Sequence, residues 1–434
     1  MGGRADAREE QSNFRHRIGA EMSLTLPSTF PSLAVSDIAR DIHRFCDIGN
    51  RFVGSPGEAQ ARELIEAEFK SAGLDDVRLE EVPIVVYDLK AAECGVPARG
   101  MEFPTTGLQF THDGVAEGPA VFLGAPSGVD ELRDAVARVD LSGKLAVIQT
   151  YWPYNMCGFL VDEGAIGLIV ISTVPTGAIA NHTALFDGLP DTPLPVPGVI
   201  IDNYAGANLV ALLAAEPETV VKVTHRVEYR WETSANVVGE IGGQTQERVV
   251  VCAHYDTQRQ GVGAQDNSTG LSTLLNMARA WAGTNPTRGI TLVGLADEEL
   301  GSRGAAAYVD RHFAELSDMV AMFNLDALAW ALPGKRAMIV HEDIKPFVVA
   351  RAREIDWEPE VFTPTDVFSG DHSPFDDNGV PACWIWRFPP QHVYYHSSGD
   401  VPEFLDMDLV TETANVIAYT ALSLARTDES LAEA

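Results

Sequence analysis

The chain has 434 residues, 46% hydrophobic and 21% charged, an ordinary balance for a folded protein with a sizeable core and room for two or three domains. Its 62 acidic residues against 31 basic ones give a formal net charge of −31, a surface that repels phosphate backbones and argues against a nucleic-acid partner. No apolar run reaches the roughly 18 residues of a membrane span, which argues against a membrane partner.

Residues 1–23 are mixed in charge, lack a secretory apolar stretch and read as a disordered tail. SDIARDIHRFCDIGN then reads as a helix capped by Ser36. In GSPGEAQARELIEAEFKSAGL, Ser55 can cap, Pro56 takes the first helical position and Glu58 completes a capping box. Ala61, Leu64, Ile65 and Phe69 share one face of that helix, and Gly73 ends it. VRLEEVPIVVYD reads as a strand.

From about residue 90 the texture changes to brief apolar runs between turn residues: GPAVFLG, GKLAVIQT, GAIGLIVIS and PVPGVIID. A helix (AGANLVALLAA) and a strand (TVVKVTH) close this section, so 90–226 is expected as a small β-rich inserted domain. It interrupts a larger domain formed by 24–89 and 227–434. After it, strands and helices alternate: RVVVCAHYD, NSTGLSTLLNMARAWAG, GITLVGLADEE, GSRGAAAYVDRHF, AMFNLDALA, KPFVVARAREI, ACWIWRF and DLVTETANVIAYTALSLA. This grammar predicts an α/β fold, a mixed, largely parallel sheet sandwiched by helices. The five cysteines (Cys46, Cys94, Cys157, Cys252 and Cys383) are scattered, odd in number and without C-x-x-C spacing. They read as free thiols of a reducing compartment, and a cytoplasmic location is expected.

In open α/β sheets reactive groups gather beyond the carboxyl ends of the strands. Here those ends carry His254 and Asp256, then Asp297, Glu298 and Glu299, then Asp326; the connecting loops add Asp266, His392 and His396. Carboxylates packed together repel, and burying them needs compensating positive charge. Histidine with carboxylate suits a borderline metal such as zinc, and a shared carboxylate can bridge two ions. The pattern fits a two-metal hydrolase.

The stretches AHYDT, GAQDNSTG, DEELGSRGA, NLDALA, SGDHSPF and YYHSSGD, with GSPGE near the start, resemble the co-catalytic di-zinc exopeptidases of metallopeptidase family 28. The resemblance spans about residues 30 to 428, and the inserted section resembles a protease-associated domain. It implies two Zn²⁺ per chain, one held by His254 and Asp326, the other by Glu299 and His396, with Asp266 as bridge. It also implies Glu298 as general base and Tyr395 as a stabiliser of the oxyanion. Asp256 would orient His254, and Asp371 would support the ligands without binding metal. A cis peptide between Asp266 and Asn267 is implied as well.

The motif favours His396 over His392 as ligand. His112, His182, His225, His312 and His341 fit no such pattern and read as ordinary surface or core histidines. An aminopeptidase must anchor an α-amine, for which acidic groups such as Glu298 and Asp326 serve. A carboxypeptidase must anchor a carboxylate, and only Arg259, Arg303 and Arg387 lie near the candidate loops in sequence. The expected partner is therefore a small peptide or aminoacyl amide. Carboxypeptidase or hydrolase of small N-acyl-amino-acid amides is the alternative. Readings of other classes are a catalytically dead binding module, as in the transferrin receptor ectodomain, and a one-zinc glutaminyl cyclase; the complete ligand set and the insert argue against both. The sequence leaves a homo-oligomer open.

Overall fold

Strand and helix patterns alternate along the second half of the chain because each apolar run must be covered on both faces. The computed structural model describes residues 24–428 apart from 187, 333, 365–369 and 389–392. The expected tail at 1–23 and the rival histidine His392 lie outside the described residues. Fourteen strands form one continuous sheet. In chain order they are β1 (Asp75–Val96), β2 (Met101–Phe103), β3 (Thr105–Gly107), β4 (Gly114–Phe122), β5 (Leu145–Gln149), β6 (Gly167–Ile171) and β7 (Gly198–Ile201). They continue as β8 (Val220–Ile241), β9 (Arg248–His254), β10 (Gly289–Leu295), β11 (Met319–Asn324), β12 (Lys335–Val340), β13 (Glu360–Phe362) and β14 (Ala382–Phe388).

The half of the sheet that positions the site runs β13-β12-β14-β11-β9-β10-β8. β9, β10, β11 and β14 are parallel, so their carboxyl ends share one edge; β12 and β8 run against their neighbours β14 and β10. Alternation along β9 sends Val249, Val251 and Ala253 to one apolar layer and Val250 and Cys252 to the other. Helices Val35–Ile48, Pro56–Ala72, Thr269–Trp281, Lys345–Glu354 and Met407–Arg426 cover the first face; Arg303–Arg311 and His372–Asp377 cover the second. Chain order reverses about β9, which lies between β10 and β11, and that is where an open α/β sheet leaves a crevice at its strand ends.

β1 and β8 are each 22 residues long and pair antiparallel from Asp75 opposite Glu240 to Gly95 opposite Lys222. At its far end β8 pairs with β4, which leads into the parallel run β4-β5-β6-β7 and then β3. The section is therefore less purely β than its sequence texture suggests, since three helices (Val129–Val136, Tyr154–Asp162 and Asn203–Ala215) cover that sheet. The chain passes between the two halves on a ribbon rather than a loose linker. A β-bulge at Leu89/Ala91 skips Lys90 there, and pairing jumps from Val227 to Arg226. His225 is buried beside that bulge, and its ring nitrogens sit 3.1 Å from the Tyr87 hydroxyl and 3.0 Å from the Thr111 hydroxyl, as befits a core histidine.

Local signals were mostly met. Ser55 accepts a hydrogen bond from Glu58 N at 3.1 Å, Pro56 opens the helix and Gly73 closes it in the left-handed conformation. The reciprocal half of the expected capping box is missing: Glu58 is buried and accepts instead from the Tyr255 hydroxyl (2.8 Å) and from Ser234. Ser36 is not a cap either, because Ala34 takes that position and Ser36 lies inside the first turn. β12 has no counterpart among the expected strands, since its opening Lys335-Arg336 hides a short apolar run. Arg51, fully buried, donates to the carbonyls of Phe45, Tyr255, Val262 and Gly263 and so ties the first helices to the loop that follows β9.

Candidate metal centre and cavity

β9 ends at His254, which is fully buried. Its Nε2 lies 3.1 Å from Asp266 Oδ1 and 3.4 Å from Asp326 Oδ1. Asp266 sits in the loop after β9, and its other oxygen, Oδ2, is 3.1 Å from His396 Nε2. The same His396 nitrogen is 3.1 Å from Glu299 Oε2. Two groups able to hold a metal ion result, His254–Asp266–Asp326 and Asp266–Glu299–His396, each with ligand atoms within 4.8 Å of one another. Asp266 belongs to both and turns one oxygen towards each histidine.

Surrounding residues fix these groups by hydrogen bonds that sequence reasoning foresaw only in part. Asp256 places Oδ1 3.4 Å from His254 Nδ1. Its two oxygens also accept from the backbone N–H groups of Glu298 (3.1 Å) and Glu299 (3.2 Å), so one carboxylate holds the turn after β10. Asp400 does the same for the Asp266 loop, accepting from Gln265 N (2.8 Å) and Asp266 N (3.1 Å). The Asn267 amide donates to Leu325 O and accepts from Ala327 N, which joins that loop to the one carrying Asp326. The Asp266–Asn267 peptide is cis. Asp297, Ala327 and His396 have φ of 54°, 45° and 58°. Such conformations cost about 1–3 kcal/mol each and persist where surrounding structure enforces them, commonly at functional sites.

Adjacent residues of the Asp297-Glu298-Glu299 turn diverge. Glu299 is buried against His396, and Glu298 is half-buried at the cavity wall. Asp297, which its neighbours suggest is a solvated or capping residue, is fully buried with Oδ2 3.4 Å from Arg303 Nε. Asp371 is also fully buried, and Asp256 and Asp326 bear on it electrostatically.

The electrostatics are those of an anionic cluster short of positive charge. Burial, reinforced by Asp371, Asp326 and Glu299, pushes the Glu298 carboxyl well above its ordinary range, with His254 opposing. Burial and Asp266 raise Glu299 to about 7 against the pull of His396, and burial with Asp256 and Asp326 raises Asp371 to about 8. Burial disfavours protonation of His254 and His396, yet the facing carboxylates outweigh it and raise both. Burial alone would raise Asp266 too, but the two histidines hold it below the carboxylate range. His254 Nε2, Asp266 Oδ2, Glu299 Oε1 and Asp326 Oδ1 are buried without a hydrogen-bond partner. Orphaned donors and acceptors of this kind, with imidazole nitrogen facing carboxylate oxygen, fit divalent cations of the zinc type.

A cavity of about 230 Å³ opens on the cluster. Glu298, Glu299, Asp326, Tyr395 and His396 form its floor; Trp152, Tyr154, His182 and Phe186 come from the section between β5 and β7. The Tyr395 ring stacks on His396 (centroids 3.8 Å apart) and on Tyr151 (5.9 Å). His182 thus departs from its expected role as an ordinary histidine: it is buried at the site, its ring 5.8 Å from that of His396. No Lys or Arg is among the described residues lining the cavity. Arg387 pairs with buried Glu412, Arg303 with Asp297 and the Gly188 carbonyl, and Arg259 lies over the Tyr87 ring. None of the three cations weighed as a carboxylate anchor lines the cavity.

Comparison with known proteins places these features among relatives. Residues 236–421 match the sequence family described as Peptidase family M28. The chain is 25% identical over 420 residues to Leucine aminopeptidase 2 of Trichophyton equinum, covering 87% of this chain and 80% of the relative. It is 27% identical over 201 residues to Aminopeptidase YwaD of Bacillus subtilis, covering 43% of this chain and 44% of that protein. Among solved structures, an aminopeptidase from Aneurinibacillus sp. strain AM-1 superimposes with a TM-score of 0.72 at 21% identity over 92% of this chain and 96% of that one. A zinc aminopeptidase from Bacillus subtilis gives 0.71 at 20% identity, over 91% and 95%. The fold is shared across nearly the whole length.

Proposed function

The chain belongs to peptidase family M28, and from that premise we propose that it is a zinc-dependent aminopeptidase that hydrolyses the N-terminal amide bond of peptides. The observation that carries this is the sharing of Asp266, whose two oxygens lie 3.1 Å from different histidines. Two Zn²⁺ would be held, one by His254 and Asp326 and the other by Glu299 and His396, with Asp266 available to both. When bound, zinc supplies Lewis acidity that polarises the scissile carbonyl and makes water nucleophilic near pH 7.

The chain's own groups do the rest. Glu298, at the cavity wall and outside both ligand groups, takes the proton of the attacking water and passes it to the leaving amine. The Tyr395 hydroxyl donates a hydrogen bond to the developing oxyanion. Asp256 keeps His254 and the Glu298–Glu299 backbone in register, and buried Asp371 bears on Glu298 and His254 electrostatically without being a ligand. The polarity follows from charge: the lining offers carboxylates to an α-ammonium and, among its described residues, no cation to a terminal carboxylate. The section 90–226 acts as a protease-associated domain that walls the cavity. All five cysteines are free and buried, which supports a reducing, cytoplasmic setting.

Zinc per chain, measured by elemental analysis, is expected at two. Hydrolysis of aminoacyl anilides with a free amine, and none of their N-acetylated forms, is the expected activity. Preference for N-blocked substrates would overturn the polarity, and a fully active protein with one zinc would overturn the two-metal centre.

A further inference from the structure

The mechanism above uses the floor of the cavity and leaves its opposite wall without a task. That wall is anchored to the floor by hydrogen bonds. Asn181 donates to the His396 carbonyl through both its backbone N–H (2.8 Å) and its side-chain amide (3.3 Å), and Gln109, whose backbone N–H donates to His182 O, donates from its side-chain amide to Gln258 Oε1 of the cavity lining at 3.0 Å. Rings hold the His182 imidazole from several sides, with Tyr151 at 5.2 Å, Trp152 at 6.1 Å and His396 at 5.8 Å between centroids. His182 is only 3% exposed, it lines the cavity, and its Nε2 has no hydrogen-bond partner. Buried polar atoms are nearly always paired, so an orphaned imidazole nitrogen on a cavity wall points to a ligand that completes it. Beside it, Trp152, Tyr154 and Phe186 present apolar surface to the same space.

We propose that His182 is a substrate-binding residue whose imidazole hydrogen-bonds the main chain of the bound peptide, while Trp152, Tyr154 and Phe186 receive an apolar side chain next to it. The section between β5 and β7 then sets substrate preference as well as covering the site. Main chain is the suitable partner because the ring is caged among aromatic surfaces, where a polar side chain would be left partly unpaired. This rests on the aminopeptidase reading.

The test compares the zinc-loaded full chain with its His182→Leu, His182→Gln and Trp152→Ala variants on alanyl, leucyl and phenylalanyl p-nitroanilides, with zinc content and Tm measured on each. His182→Leu should lower kcat/KM about 10- to 100-fold, chiefly through KM, with zinc content unchanged. His182→Gln, which keeps a donor and an acceptor, should recover most of that. Trp152→Ala should cut the preference for phenylalanyl over alanyl about tenfold. Wild-type kcat/KM in His182→Leu overturns the inference and leaves the aminopeptidase reading intact. Loss of zinc or of fold in both His182 variants assigns the residue a structural role and also overturns it. An inactive zinc-loaded wild type overturns the aminopeptidase reading and this inference with it.

Discussion

Two regions of this molecule bury clusters of charge, and they do so in opposite ways. Under the first helices, Asp41 is fully buried but meets Arg279 at 2.6 Å, Arg44 at 3.1 Å and Arg40 at 3.3 Å; neighbouring Glu68 meets Arg279 at 2.6 Å and Arg44 at 2.7 Å. Burial alone would raise both carboxyls, yet the guanidinium groups outweigh it and lower them. At the strand ends, Asp266, Glu299 and Asp326 face two histidines, with Glu298 and Asp371 close by, and no Lys or Arg is among the described residues of the cavity wall. There Glu298, Glu299 and Asp371 are raised. A cluster that serves stability alone carries its counter-charges in the chain. One that lacks them depends on cations from outside, since an uncompensated buried charge is costly.

Removing those cations should separate the two regions most sharply. A chelator should abolish hydrolysis and zinc should restore it, while the fold monitored by circular dichroism persists. Activity that survives complete metal removal would erase the contrast. Next in size comes Glu298→Gln, which should lower kcat by about 10²–10⁴-fold and keep the metal, because only proton transfer is lost. Glu299→Gln should instead lower zinc occupancy. Paired measurements of zinc content and kcat decide between them, and a Glu298→Gln protein that loses zinc as Glu299→Gln does would reverse the assignment. Asp256→Asn should weaken metal affinity about 10- to 100-fold, the usual cost of disturbing a ligand's hydrogen-bond partner, measured by competition with a coloured chelator.

Legibility followed the same division. The metal-facing residues could be found because His254, Glu298, Glu299 and Asp326 each sit at, or within four residues of, the end of an apolar run that must be a buried strand. Alternating strand and helix patterns likewise announced the layers of the sheet. The wall opposite was invisible: Asn181 and His182 lie in an irregular segment with no periodicity, and only contacts spanning some 200 residues of chain bring them to His396. Asp297 looks like a solvated or capping residue from its neighbours alone, and only the fold shows it buried with Arg303 at 3.4 Å. Arg387 counted as a candidate carboxylate anchor by its place in the sequence, yet its partner is Glu412 on the last helix. Side chains that answer to tertiary neighbours leave no trace in local pattern.

The smallest effect is expected where charge is balanced, and it should be one of stability. Asp41→Asn leaves Arg279 and Arg44 with one buried acceptor fewer and should cost about 1.5–3 kcal/mol of unfolding free energy near neutral pH, with kcat and zinc content little changed. The pH dependence has a definite sign. Folding lowers the Asp41 and Glu68 pKa values, so the native state binds these protons less readily than the unfolded chain. Their contribution is therefore complete above the unfolded carboxylate range, at about pH 4–5, and is lost as pH falls through the lowered native values. Wild type should lose stability steeply on acidification below pH 4, and Asp41→Asn, having already lost its share, should fall less over the same interval. Urea unfolding of both proteins from pH 7 down to pH 3 measures the difference. Parallel curves would mean that the arginines around Asp41 do not couple to its ionisation, and the balanced half of the comparison would then rest on packing rather than on charge.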